Sequence, residues 1–206
     1  MEENVWEPKE MLYWKTVDAG DFKTYSKKFL EYYTKNNNFG HDDCSFRRYD
    51  NTFWNELKQE KMEEVFNLIP EMRDAFSKFG EVKEIAILFL WENEYGSLHT
   101  DHTTGLNNGV EARLQIPVLN TEGSRTAYFE LNEREFKNHK VNEGGTRIWP
   151  EFYRQKIKPV TYVELLEPAI IRTNVPHTVY CDTNKYPRIT MTVSFKEDLV
   201  KYLDEV

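Results

Sequence analysis

Residues 188–195 read RITMTVSF, and their strict alternation constrains the fold more than any other stretch of the chain. Successive side chains of an extended backbone point to opposite faces, so Arg188, Thr190, Thr192 and Ser194 form one row and Ile189, Met191, Val193 and Phe195 the other. EARLQIPV, residues 111–118, repeats the pattern, with Glu111, Arg113 and Gln115 opposed to Ala112, Leu114 and Ile116. Two arrangements satisfy such strands. One is an ordinary sheet with its polar face in solvent. The other is a barrel whose polar face points inward at a ligand while the apolar face lies under helices.

The remaining sequence offers both sheet and helix. After Gly80, short β-branched and aromatic runs alternate with Gly, Pro and Asn clusters, which predicts antiparallel strands near 82–91, 110–119, 125–132, 159–166, 168–174, 178–181 and 187–196. Before Gly80 the periodicity is helical. Phe22, Tyr25, Phe29, Leu30 and Tyr33 build one apolar stripe, and a second helical stretch runs from about Asn55 to Phe79, broken or kinked at Pro70. The 206 residues are therefore read as a single domain, with a helical part over 1–80 and a β core over 81–196. The charged segment between 133 and 158, punctuated by Gly144, Gly145 and Pro150, reads as a long excursion from the sheet.

Charge and composition narrow the function classes. Aromatic residues make up 15% of the chain and supply large buried areas, which favours a globular fold. A net charge of -8 argues against nucleic acid or an anionic membrane as partner. The longest apolar run, IAILFLW at 85–91, is far short of the roughly 20 residues that span a bilayer. The acidic start MEENVWEPKE lacks the pattern of a signal peptide, so a cytoplasmic location is expected. Cys44 and Cys181 form no disulfide framework and no Cys-x-x-Cys pair, and are expected as free thiols. Nothing in the sequence specifies an oligomeric state.

The chain has few histidines, yet SLHTDHTTG, residues 97–105, holds two beside an aspartate. A His-x-Asp pair places an imidazole and a carboxylate on one side of an extended segment, where both can reach one ion. The pattern is short, and GHDDC supplies a second instance in His41 and Asp43. Context separates them. His41 lies in a polar loop between helical stretches, whereas His99 and Asp101 lie between two expected strands, at the rim of a sheet. Distant His177 follows Pro176 where one strand ends and another begins. Two histidines and one carboxylate on one face of an ion leave its other positions open, the arrangement of non-haem Fe(II) sites. On the next strand, the Arg188 guanidinium is suited to binding a carboxylate, with the Thr190 hydroxyl on the same face. His102 points away from the side used by His99 and Asp101 and is read as a neighbour of the site.

HTD at 99–101, PHTV at 176–179 and RIT at 188–190 resemble the His-x-Asp, distal His and Arg-x-Ser/Thr elements of the Fe(II) and 2-oxoglutarate dependent dioxygenases, over about residues 82–196. Within that superfamily, HTDHTTG followed by RLQIPV is most similar to the aspartyl/asparaginyl β-hydroxylase-like branch and to small phage-type oxygenases. The resemblance implies a mainly β fold, a double-stranded β-helix or cupin-like jelly-roll barrel with the N-terminal helices packed on one sheet. It implies Fe(II) held by His99, Asp101 and His177, and 2-oxoglutarate as co-substrate with its far carboxylate at Arg188 and Thr190. Arg113 would be a second carboxylate-binding arginine. With O2 as oxidant, the implied reaction hydroxylates a C–H bond of an amino acid, peptide side chain or small metabolite and releases succinate and CO2. Because Asp101 is present, the chloride-binding variant of this chemistry is disfavoured.

Two rival readings keep the fold and change the function. One is a cupin-type metal-binding protein without 2-oxoglutarate chemistry, which gives no reason for Arg188. The other is an inactive structural or interaction protein. Trp91, Tyr95, Tyr128 and Trp149 either line a substrate pocket or pack in the core and rim.

Overall fold

The RITMTVSF strand lies at the centre of the larger of two antiparallel sheets, and both of its faces are buried. The computed structural model describes residues 12–35, 44–49, 52–90, 97–101, 111–141, 146–149, 158–181 and 187–204. The strands, in chain order, are β1 (Trp14–Thr16), β2 (Cys44–Tyr49), β3 (Thr52–Leu57), β4 (Val82–Leu90), β5 (His99–Thr100), β6 (Ala112–Leu119), β7 (Ser124–Tyr128), β8 (Lys140–Val141), β9 (Arg147–Ile148), β10 (Thr161–Glu164), β11 (Ala169–Arg172), β12 (His177–Cys181) and β13 (Arg188–Phe195). The helices are α1 (Phe22–Lys35), α2 (Gln59–Leu68), α3 (Pro70–Ser77), α4 (Glu133–Lys137) and α5 (Lys201–Asp204).

The larger sheet runs β1-β11-β6-β13-β4-β3-β2 and the smaller β10-β7-β12-β5-β9-β8. From β4 to β7, and again from β10 to β13, the chain passes back and forth between the two sheets. That alternation is the connectivity of a double-stranded β-helix, so the fold is a mainly β jelly roll. The seven strands expected after Gly80 all form, within a few residues of their expected ends.

The apolar row of β13 faces the helices. Ile189, Met191, Val193 and Phe195 join Ile85, Ile87 and Phe89 of β4 and Leu114 and Ile116 of β6 beneath Tyr25, Phe29, Met62, Val65, Phe66, Met72 and Phe76. Each large side chain buried there contributes about 2 kcal/mol relative to exposure. Pro70 ends α2 and opens α3 at a first-turn position, where its missing N–H costs nothing. Gly80, at φ 128°, then turns the chain from α3 into β4 through a backbone conformation that an L side chain rarely adopts.

The opposite row of β13 faces the smaller sheet. Arg188 is 4% exposed, and Thr190, Thr192 and Ser194 are fully buried, which excludes a solvated polar face. Within this row, Thr192 is tied to the neighbouring strand: Gln115 Nε2 donates to Thr192 Oγ1 at 2.8 Å.

One expectation fails within the first 80 residues. Cys44–Tyr49 and Thr52–Leu57 pair as the antiparallel strands β2 and β3 rather than forming a loop leading into a helix from Asn55, and α2 begins only at Gln59. Strand β3 pairs with β4, Thr52 opposite Leu90 and Glu56 opposite Ala86. The helical spacing of Leu57 with later apolar residues is a weak local preference, and hydrogen bonding to the open edge of β4 overrides it.

The excursion after β7 is partly docked. Phe136 of α4 and buried Trp149 pack with Leu98, Ala127 and Phe129 on the outer face of the smaller sheet. Trp149 donates its indole N–H to Glu135 O at 3.0 Å and its backbone N–H to Leu98 O at 2.9 Å. Of the four aromatic residues considered for a pocket, Trp149 packs in this outer layer and Tyr128 is buried in a separate cluster with Val163, Leu165, Ile171 and Val175, while Trp91 and Tyr95 lie outside the described residues, as do His41, Asp43 and His102.

Candidate metal centre

His99 lies on a two-residue strand held from both sides. It stands opposite His177 of β12 and opposite Ile148 of β9. The next backbone N–H but one, that of Asp101, donates to Thr173 O at 2.7 Å, which anchors the segment just before β12. Alternation along this short extended stretch sends Leu98 to the outer aromatic layer and His99 and Asp101 to the interior. His177 follows Pro176, whose carbonyl accepts from Phe129 N at 2.9 Å, so the start of β12 is fixed as well.

The three side chains converge. One donor atom from each of His99, Asp101 and His177 lies within 4.8 Å of the others, close enough for one ion to be shared by all three. The imidazole rings are 4.4 Å apart between centroids, and His99 Nε2 is 3.5 Å from Asp101 Oδ1.

Both rings are oriented by the same device. His99 Nδ1 is 2.6 Å from Ser97 O, and His177 Nδ1 is 2.8 Å from Val175 O, in each case the carbonyl two residues earlier. A carbonyl only accepts, so Nδ1 carries the hydrogen and Nε2 keeps its lone pair. A metal-binding imidazole is tethered in this way, with its second nitrogen hydrogen-bonded to backbone. Burial pulls His177 down from its ordinary 6.5 to about 4, and neighbouring His99 adds to the fall, so the ring is neutral at physiological pH. Beside it, 6.1 Å between ring centroids, Tyr128 is fully buried, and burial pushes its hydroxyl well above the ordinary range. The donor set fits a divalent transition metal held on one side by chain ligands.

The other expected site residues fall into two groups on the larger sheet. Arg188 and Thr190 stand together on its interior face, Arg188 Nη1 lying 3.5 Å from Thr190 Oγ1. Arg113 joins the triad directly: its Nε lies 3.5 Å from Asp101 Oδ2. On its other side it donates to Glu84 Oε1 at 3.3 Å. Sequence reasoning passed over Glu84. Its one signal is position, since in VKEIAILFL it occupies the same alternating row as Ala86 and Leu88, opposite the helix-facing Ile85, Ile87 and Phe89.

No sequence family matches the chain, and no curated protein matches it. Solved structures do resemble it. HygX from Streptomyces hygroscopicus, with nickel and 2-oxoglutarate bound, superposes at a TM-score of 0.50 with 8% identity, over 89% of this chain and 82% of that one. A prolyl-4-hydroxylase from Pseudomonas putida superposes at 0.47 with 10% identity, over 88% of this chain and 91% of that one. Oxalate decarboxylase from Bacillus subtilis gives 0.37 with 10% identity, over 75% of this chain and 28% of that one. At identities this low the likeness to HygX is one of fold: two facing antiparallel sheets of the jelly-roll type.

Proposed function

We propose that the chain is a non-haem Fe(II) and 2-oxoglutarate dependent dioxygenase that hydroxylates a C–H bond of an amino acid, a peptide side chain or a small metabolite. The observation that carries this reading is the convergence of His99, Asp101 and His177 with both imidazoles tethered at Nδ1. HygX, which shares the fold, has been solved with nickel and 2-oxoglutarate bound, and that supports the cofactor assignment. Within the superfamily, the sequence HTDHTTG followed by RLQIPV favours the aspartyl/asparaginyl β-hydroxylase-like or phage-type branch. The acidic charge balance favours a small-molecule or peptide substrate over nucleic acid, and a cytoplasmic setting suits the expected free thiols.

When bound, iron, 2-oxoglutarate and O2 supply the oxidation, with succinate and CO2 as co-products. The chain does the positioning. His99, Asp101 and His177 hold one side of the ion and leave the other side open. Arg188, buried on the facing sheet with Thr190 beside it, holds the far carboxylate of the co-substrate in an interior where a charge pair is weakly screened. Asp101 fills the third chain position, which favours hydroxylation over halide transfer. His177 is buried, while the side chains of His99 and Asp101 stay 26% and 18% exposed, so the candidate site is reached from one side.

Anaerobic addition of Fe(II) and 2-oxoglutarate tests the reading: a visible charge-transfer band is expected, followed by succinate release on admitting O2. Folded, metal-loaded protein without the band would replace this reading by that of a cupin-type metal-binding protein.

A further inference from the structure

The Arg113 guanidinium stands between two carboxylates. Nε is 3.5 Å from Asp101 Oδ2, and Nη1 donates to Glu84 Oε1 at 3.3 Å. The other Asp101 oxygen, Oδ1, is 3.5 Å from His99 Nε2, on the side of the donor cluster. The two oxygens of one ligand carboxylate therefore face different partners. The row also crosses the fold, because Glu84 and Arg113 belong to β4 and β6 of the larger sheet while Asp101 follows β5 of the smaller. Arg113 is 3% exposed and each of its carboxylate partners 18%, so these contacts are only partly screened by solvent.

We propose that Arg113 is a positioning residue for the metal-ligating carboxylate. It holds Asp101 Oδ2 so that Oδ1 alone faces the ion, and Glu84 holds Arg113 in turn. This rests on the dioxygenase reading only for the presence of a metal. It departs from the expected role of Arg113 by giving the guanidinium a carboxylate of the protein in place of one of the co-substrate.

A carboxylate with a free second oxygen can rotate to bind an ion through both, and so occupy a position that the triad leaves open. A guanidinium at the outer oxygen opposes that rotation, and its planar fork fits the task better than an ammonium. The sign of its effect on metal binding follows from Glu84. A lone cation beside the site would repel a dication, but Glu84 largely neutralises Arg113 from behind. Without Arg113, Glu84 and Asp101 confront each other with no cation between them, and Asp101 is driven from its place. Loss of ligand order therefore outweighs relief of repulsion. Outer partners of metal ligands change metal affinity by about 10- to 100-fold when removed.

The test uses Co(II) alone as probe, in the absence of 2-oxoglutarate, with affinity and the visible Co(II) spectrum as readouts. Arg113→Gln is expected to weaken Co(II) binding about tenfold or more and to alter the spectrum at saturation. Arg113→Lys should restore part of both, and Glu84→Gln should cause a smaller loss of the same kind. At saturating Co(II), 2-oxoglutarate affinity should fall by a smaller factor than Co(II) affinity did. A larger fall for 2-oxoglutarate would return Arg113 to the co-substrate and overturn the proposal. So would an unchanged or tightened Co(II) affinity with an unchanged spectrum. If Arg113→Gln fails to fold, as judged by near-UV circular dichroism, Glu84→Gln carries the same two outcomes. Wild-type protein that binds Co(II) but no 2-oxoglutarate would remove the dioxygenase reading and leave this one standing.

Discussion

His177 and His99 stand directly opposite each other across the β12–β5 ladder, their ring centroids 4.4 Å apart. Each ring is tied through Nδ1 to the carbonyl two residues before it. Two strands far apart in sequence thus present their imidazoles in the same tautomer and toward the same point. Each imidazole draws its tether from the segment just before its own strand, Ser97 O for His99 and Val175 O for His177.

Removing either imbalances the site without removing the fold. His177→Ala is expected to abolish the Fe(II)–2-oxoglutarate band and to lower succinate release to background, since two chain ligands remain of three. His41→Ala, in the competing GHDDC pair, should leave band and turnover at wild-type levels. Absorption under argon decides it, and a band that survives in His177→Ala refutes the triad.

Arg188 is buried beside Thr190 on the sheet that faces the histidines. Arg188→Ala should therefore weaken 2-oxoglutarate binding at least tenfold while Fe(II) affinity changes little, because one charge-assisted pair is worth roughly 1.5–3 kcal/mol. Separate titrations of metal and co-substrate read the two affinities. Equal losses of both would favour a cupin-type metal protein.

The parts of this architecture that were legible in the sequence are those whose signal is local or repeated. The period of two in RITMTVSF marks a two-faced strand wherever it is placed, and HTD keeps its ligand geometry within three residues. Whether the polar row faced solvent or the interior was not local, and burial of Arg188 through Ser194 decided it. The β2–β3 pair escaped notice because its reason to exist is the edge of β4, some thirty positions later. Glu84 escaped for a similar cause: its importance lies in a guanidinium on β6 and a carboxylate just after β5, and only the folded chain brings them together. The Nδ1 tethers end on backbone carbonyls, which no side-chain pattern announces.

Neutral His177 makes the metal-free protein acid-sensitive. In the unfolded chain the ring titrates at its ordinary 6.5, whereas in the folded protein it holds off its proton until about pH 4. Between these values the unfolded state binds more protons, so stability falls as pH falls. The contribution is fully retained above pH 6.5, declines through the window and levels near pH 4, amounting to on the order of 3 kcal/mol. Urea unfolding of metal-free protein at pH 7, 5.5 and 4.5 measures it. His177→Gln should show a shallower decline, and parallel curves for the two proteins would count against a buried neutral ring.

Trp149 links the outer aromatic layer to the ligand strand. Its ring packs on Leu98, Ala127 and Phe129, and its backbone N–H donates to the carbonyl of Leu98, the residue before His99. Because β5 is only two residues long, the placement of His99 depends on its neighbours β12 and β9, and β9 is held down by Trp149. Trp149→Ala should cost about 3 kcal/mol, the low end for a buried aromatic, since the layer lies near the surface and can partly collapse. The loss should be accompanied by faster hydrogen exchange at Thr100 and weaker metal binding, while the helix-covered face of the larger sheet keeps its protection. Hydrogen exchange with mass spectrometry separates these regions. Uniform loss of protection across both sheets would show instead that the aromatic layer supports the whole fold rather than the ligand strand.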